Sequence, residues 1–163
     1  MTETILNDYE HSSGPVITMA VPYARLTDQT PTVGNPCELT SRTAGTQLTG
    51  TILSVDAGDS IAVVNVAPAF FGNWEVRNVL TYAAAVEATW GAINVGDAVY
   101  YDNSATMPAG VYLSTSPLDN TGAANTLFGH IACITSEAAA LYPLGDATAS
   151  TQDCQVVQRG AGV

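Results

Sequence analysis

The chain has 163 residues, 47% hydrophobic and only 12% charged, with a formal net charge of -11 at neutral pH. That length and apolar content suffice for one packed domain. The charge argues against nucleic-acid binding, which needs Lys/Arg to neutralise phosphates, and against an anionic membrane surface. The cations are Arg25, Arg42, Arg77 and Arg159, and there is no lysine, so a P-loop is excluded as well. A surface so poor in charge is built from Thr, Ser, Asn, Gly and Ala, which suits packing against neighbouring subunits.

Residues 1–15 are polar and acidic, with Ile5, Leu6 and Tyr9 as apolar anchors and Gly14-Pro15 closing the segment. They read as an N-terminal arm that orders against a partner, leaving 16–163 as a single β-rich domain. The arm has neither the basic stretch nor the apolar run of a secretory signal, and no apolar run in the chain approaches a membrane span. The expectation is a protein made and kept soluble inside a cell until it assembles with something.

VITMAVPYA (16–24) predicts a strand that Pro22 confines to a sheet edge. Residues 25–36, with two prolines and a glycine, predict a loop. GTILSV (50–55) and IAVVNV (61–66) flank Asp56-Ala-Gly-Asp-Ser60, a five-residue hairpin connection. WEVRNVLTY (74–82) is a further strand, and AAAVEATW (83–90) reads as a short helical turn. INVGDAVYYD (93–102) places a Gly-Asp turn before a β-branched and aromatic strand. VYLST (111–115), LFGHIACI (127–134) and DCQVVQR (153–159) complete the strands. SEAAALY (136–142) is one short helix or a loop, with Ser136 as cap and Pro143 as stop. Short strands between Gly/Pro/Asn/Asp/Ser clusters predict an all-β fold: a small barrel or sandwich of antiparallel strands with at most one or two short helices.

Little in the chain points to catalysis, metal or cofactor. Cys37, Cys133 and Cys154 are widely spaced and odd in number, which fits buried reduced thiols better than a disulfide framework or zinc site. His11 lies in the arm and His130 within an apolar strand. His130 and Cys133 are three apart and so point to opposite faces of a strand. Asp56 and Asp59 read as turn residues rather than calcium ligands. Asp28, Asp59, Asp97, Asp102, Asp119 and Asp146 fall in turns, where solubility explains them. Trp90 and Tyr100 are expected in the core. Phe70, Phe71 and Trp74, beside Pro68 and Gly72, make either an interface loop or a core corner.

The segment VGDAVYYDNSA (95–105), the strand VYLSTS and the run NTLFGHIA (125–132) resemble the small decoration, or cement, proteins of tailed-phage capsids. LTGTILSVDAGDSIAVVNVA resembles their earlier hairpin and CQVVQR their closing strand. The resemblance spans roughly residues 35–160 and departs in the long N-terminus and in FFGNWEVRN (70–78), which looks like an insertion. It implies a non-enzymatic virion protein on the outer capsid surface, bound to the major capsid protein and to itself as a dimer or trimer. It carries no cofactor and no catalytic residue. The docking candidates are then Ile5, Leu6, Tyr9, Val16, Ile17, Phe70, Phe71 and Trp74. Other phage structural components (minor capsid, head–neck or tail), or a carbohydrate- or receptor-binding β-module, are the alternatives.

Overall fold

The computed structural model describes residues 16–28, 30–40, 47–78, 81–83, 86–89, 93–105, 107–134 and 151–160. Eleven strands and one 3-10 turn (Tyr23–Arg25) make up the regular structure of these residues. The fold is all-β, as the pattern of short strands and turn clusters predicts.

Four strands form an open antiparallel sheet: β1 (Thr18–Pro22), β2 (Pro36–Leu39), β3 (Leu48–Asp56) and β4 (Ile61–Asn65), in the order β1-β4-β3-β2. The β3–β4 hairpin closes where the Asp56 carboxylate accepts the amides of Gly58 (2.9 Å) and Asp59 (3.2 Å), the local bond that suits Asp to turns. One face of the sheet carries the apolar cluster Val21, Leu26, Cys37, Leu39, Ile52, Ala62, Val64 and Val66.

Five further strands close into a barrel in the order β10-β11-β5-β9-β8. They are β5 (Phe70–Arg77), β8 (Ala98–Tyr101), β9 (Leu113–Ser114), β10 (Thr126–Ile134) and β11 (Thr151–Gln158). All their pairings are antiparallel except β5 with β9, where Val76 faces Leu113 and Arg77 faces Ser114 in parallel. Strict alternation along β5 points Phe70, Gly72, Trp74 and Val76 inward. They meet Phe128, Ile131, Cys154, Val156, Val99, Leu113 and Ile93 in the barrel core. Trp74 packs edge-to-face on Phe128 at 5.1 Å, the arrangement the ring quadrupoles favour. Gly72 makes room for that indole: a Cβ at Gly72 would clash with the Trp74 ring. Before β8 the chain turns at Asn94–Asp97, closed by the Asp97 amide on the Asn94 carbonyl (3.1 Å). Gly96 there takes a φ of +93°, which a side chain would resist.

Three expectations are corrected. Residues 83–90 do not form a helical turn: Val86–Thr89 is β7, paired antiparallel with β6 (Thr81–Ala83). A two-turn helix gains few hydrogen bonds against its nucleation cost, and the β-branched Val86 and Thr89 favour a hairpin. FFGNWEVRN, read as an addition to the resembled pattern, is no appended loop: β5 pairs with β11 along all eight of its residues and is integral to the barrel. Tyr101, not Tyr100, is the core tyrosine of β8, since parity with the buried Val99 turns it inward. The arm, Trp90 and the 136–142 segment lie outside the described residues.

The two sheets meet along a polar seam. Gln158, fully buried at the end of β11, donates to the carbonyls of Asn65 (3.1 Å) and Ala67 (2.9 Å) and accepts from the Thr51 hydroxyl (2.7 Å). Thr49 donates to the Leu127 carbonyl (3.2 Å), and the Trp74 Nε1–H donates across to the Gly34 carbonyl (2.9 Å). Thr126 of β10 donates to the Glu38 carboxylate of β2. Both N–H groups and the oxygen of the Gln158 amide are partnered, so this seam is directional.

Candidate functional site

The two edges of the open sheet are treated differently. On the β2 side the chain 25–28 lies along the strand: Leu26 bridges Leu39, the Thr27 amide donates to the Glu38 carbonyl (3.0 Å) and the Thr40 amide to the Arg25 carbonyl (2.8 Å). On the β1 side, among the described residues, no strand pairs with the outer edge. The Ile17 carbonyl accepts from Val66 (2.8 Å) and the Tyr23 amide donates to Ser60 (2.9 Å), so odd-numbered backbone groups face β4. By alternation Thr18, Ala20 and Pro22 turn theirs outward. Pro22 has no N–H to offer there, which is why an edge tolerates it.

This edge is also apolar and uncharged. Val16 is 59% exposed, Ile17 54% and Met19 43%. No residue from Val16 to Pro22 carries a charge, in a protein whose net charge is -11. A neutral, apolar edge, blunted only at its Pro22 end, can act as a template for an added strand.

Of the residues the sequence put forward for docking, Val16 and Ile17 lie on this edge, and Ile5, Leu6 and Tyr9 fall outside the described residues. Phe70 and Trp74 are each 2% exposed and belong to the barrel core, so they are not an exposed interface loop. Phe71 is half-buried on the opposite face of β5. The physical reason is the period-2 alternation of β5, in which large apolar residues two apart fill one interior.

Beside the seam lies a groove of about 320 Å³ between β2, the end of β8 and the loops at 103–104 and 119–125. Glu38, Gln47, Tyr101, Asn103, Asp119 and Asn125 line it. Both carboxylates take part in local hydrogen bonds. Glu38 accepts from the hydroxyls of Thr27 (2.6 Å) and Thr126, while Asp119 accepts from the Thr121 amide (2.8 Å) and hydroxyl (2.7 Å) and the Ala123 amide (2.8 Å). Desolvation opposes the charge on Asp119, but the hydrogen bonds from Thr121, Ala123 and Gly122 outweigh it and hold its pKa below the ordinary Asp value. The Tyr101 hydroxyl, in a side chain only 2% exposed, has no hydrogen-bond partner.

The sequence did not single out Glu38, Gln158 or Tyr101. Nothing in Pro-Cys-Glu-Leu marks its glutamate as buried, and the unbroken run Ala-Val-Tyr-Tyr conceals which tyrosine faces inward. Asp102 is another departure: it is fully buried, not a solubilising turn residue, and it accepts from Ser114 Oγ (2.8 Å) and from the amide (3.0 Å) and hydroxyl of Ser104.

Catalytic geometry is sparse among the described residues. His130 is exposed on β10. Cys37 and Cys154 are buried free thiols. Burial, with a smaller contribution from the Glu38 charge and against a Gly50 hydrogen bond, pushes the Cys37 pKa up to about 12, so its nucleophilic thiolate is disfavoured. Among these residues no group of three or more His, Cys, Asp or Glu side chains is placed to hold a metal ion, and no helix is long and apolar enough to cross a membrane. Comparison with protein-family models, curated protein sequences and solved structures returned no match to this chain.

Proposed function

We propose that this chain is a non-enzymatic structural protein of a phage virion. It binds the outer surface of an assembled capsid and stabilises contacts between major capsid protein subunits. The observation that carries the reading is the open β1 edge, exposed and apolar at Val16, Ile17 and Met19. In sequence the chain enters this edge directly from residues 1–15, which carry the docking candidates Ile5, Leu6 and Tyr9. The resemblance of residues 95–132 to capsid decoration proteins supports the same conclusion, as does the acidic, charge-poor composition.

The energetics suit such a role. A strand added to β1 gains main-chain hydrogen bonds and covers apolar side chains. An arm that orders on contact loses some of that gain to entropy but reaches across neighbouring subunits. Many copies on one shell then turn modest single-site affinity into stable coverage.

The test is sedimentation with undecorated capsids. Purified protein should leave the supernatant at a fixed ratio to the major capsid subunit, and removal of residues 1–15 should weaken this while the folded domain keeps its thermal transition. A protein that stays in the supernatant with intact capsids overturns the reading.

A further inference from the structure

The exposed end of β1 continues an apolar face that the rest of the sheet buries. In the β1–β4 register Met19 stands opposite Val64 and Val21 opposite Ala62, so positions 17, 19 and 21 share the face of the apolar cluster. Val21, Ala62 and Val64 are buried, but Ile17 and Met19 remain 54% and 43% exposed. Along this edge the face lacks the strand that would cover its last apolar side chains.

The backbone restricts what that strand can be. Outward main-chain groups fall at even positions from Val16 to Pro22, and Pro22 has no amide. Val16, Thr18 and Ala20 are therefore the residues that offer both a donor and an acceptor, and they are spaced symmetrically about Thr18. An antiparallel strand of the same sequence, related by a two-fold axis at Thr18, uses all of them. Val16 then pairs with Ala20 of the second copy, Thr18 with its own counterpart and Ala20 with Val16, each pair exchanging both its bonds. Pairing centred on Ala20 instead would set Pro22 against Thr18 and lose a bond at each end. The Thr18 register also places Ile17 opposite Met19 of the second copy, in the closer pairs of an antiparallel ladder. Each copy thus covers the side chains that the other leaves exposed.

We propose that in solution this edge is taken by a second copy of the chain, β1 pairing antiparallel with β1 about Thr18 and joining two four-stranded sheets into one. Such pairing closes at two copies, and the chain at 25–28 covers the β2 side against further growth. No residue from Val16 to Pro22 is charged, so the contact itself brings no like charges together. The net charge of -11 on each copy repels at longer range, where salt screens it, so the dimer tightens as salt rises. One strand pair covers less than a standard interface, which makes the dimer weak, with dissociation on the order of 10–100 µM. A capsid strand and a second copy are alternative occupants of one edge, and the self-pairing does not depend on the capsid reading.

Sedimentation velocity of the full chain without capsids, from about 1 µM to about 1 mM, should show a monomer–dimer equilibrium that shifts toward dimer in high salt. Met19→Glu, at an exposed position, should weaken the dimer at least about tenfold and leave the thermal transition unchanged. Cysteine cross-linking reads the register, with the unaltered chain treated alike as control. Oxidised Thr18→Cys should form a covalent dimer, because counterparts in a hydrogen-bonded pair lie about 5.5 Å apart at Cα, within disulfide reach. Ala20→Cys alone should not, but it should cross-link when mixed with Val16→Cys. A chain that is monomeric throughout overturns the inference, as does self-cross-linking of Ala20→Cys in preference to Thr18→Cys. A dimer that forms only after residues 1–15 are removed also overturns it, since the chain's own N-terminus would then fill the edge. A monomer that still co-sediments with capsids removes the dimer and leaves the capsid reading standing, whereas a dimer that never co-sediments does the reverse.

Discussion

The barrel and the four-stranded sheet use the same period-2 patterning, but they handle their boundaries in opposite ways. In the barrel, β8 pairs with β10 and the ring closes, with the short β9 joining β8 to the Val76–Arg77 end of β5. Its interior is filled by Trp74, Phe128 and Phe70 with aliphatic neighbours. In the sheet one edge is covered by the chain at 25–28, while the other, β1, is open among the described residues and apolar. The barrel therefore bears stability, and the sheet edge is where a partner can add hydrogen bonds. Substitutions that separate these roles should divide by region: barrel changes should unfold the chain, and edge changes should spare the fold and remove the partner.

The largest effect expected is Trp74→Ala. It deletes the edge-to-face contact with Phe128 and the bond to Gly34 and should cost about 3–5 kcal/mol in chemical denaturation. Gln158→Leu tests the seam that joins the two regions. It leaves the Asn65 and Ala67 carbonyls and the Thr51 hydroxyl without their partner and should cost about 2–3 kcal/mol by the same measurement. A loss no larger than that of a surface change would mean that the sheet and the barrel are not coupled through this residue. Gly72→Ala forces the Trp74 indole to move and should cost about 1–3 kcal/mol, with a change in tryptophan fluorescence.

On the other side of the comparison, Ile17→Asp should change stability by less than about 0.5 kcal/mol, since the side chain is more than half exposed. The same change should abolish capsid co-sedimentation, because it places a charge on the neutral edge. Full binding by this variant would remove β1 from the interface. The smallest effect belongs to Asp119. Its folded pKa lies below the ordinary value, so its contribution is present above the unfolded Asp pKa and is lost as pH falls through the lowered one. Asp119→Asn should flatten that acid limb of the melting temperature by slightly lowering stability at neutral pH while leaving it unchanged in acid.

The position of most strands was legible because strands and turns are local. Apolar alternation, Gly96 in its turn and the Asp56 hairpin all act within a few residues of themselves. The edge placement of β1 was legible for a similar reason, since Pro22 lacks the amide that an interior strand needs. The roles of Phe70, Trp74 and Glu38 were not. Whether an aromatic cluster lies outside or inside depends on which strand pairs with which, and β5 becomes interior only when β11 and β9, remote in sequence, close on it.

By itself the sequence determined an acidic, lysine-free, all-β chain with an uncharged apolar stretch at 16–22, because composition and strand period are properties of neighbouring residues. Only the tertiary structure decided that one set of strands closes while the other, among the described residues, keeps an open edge. It also decided that Gln158 locks the two together and that the buried Tyr101 hydroxyl has no hydrogen-bond partner. Those outcomes depend on contacts between residues dozens of positions apart, such as Thr51 with Gln158 and Glu38 with Thr126, which no local pattern encodes.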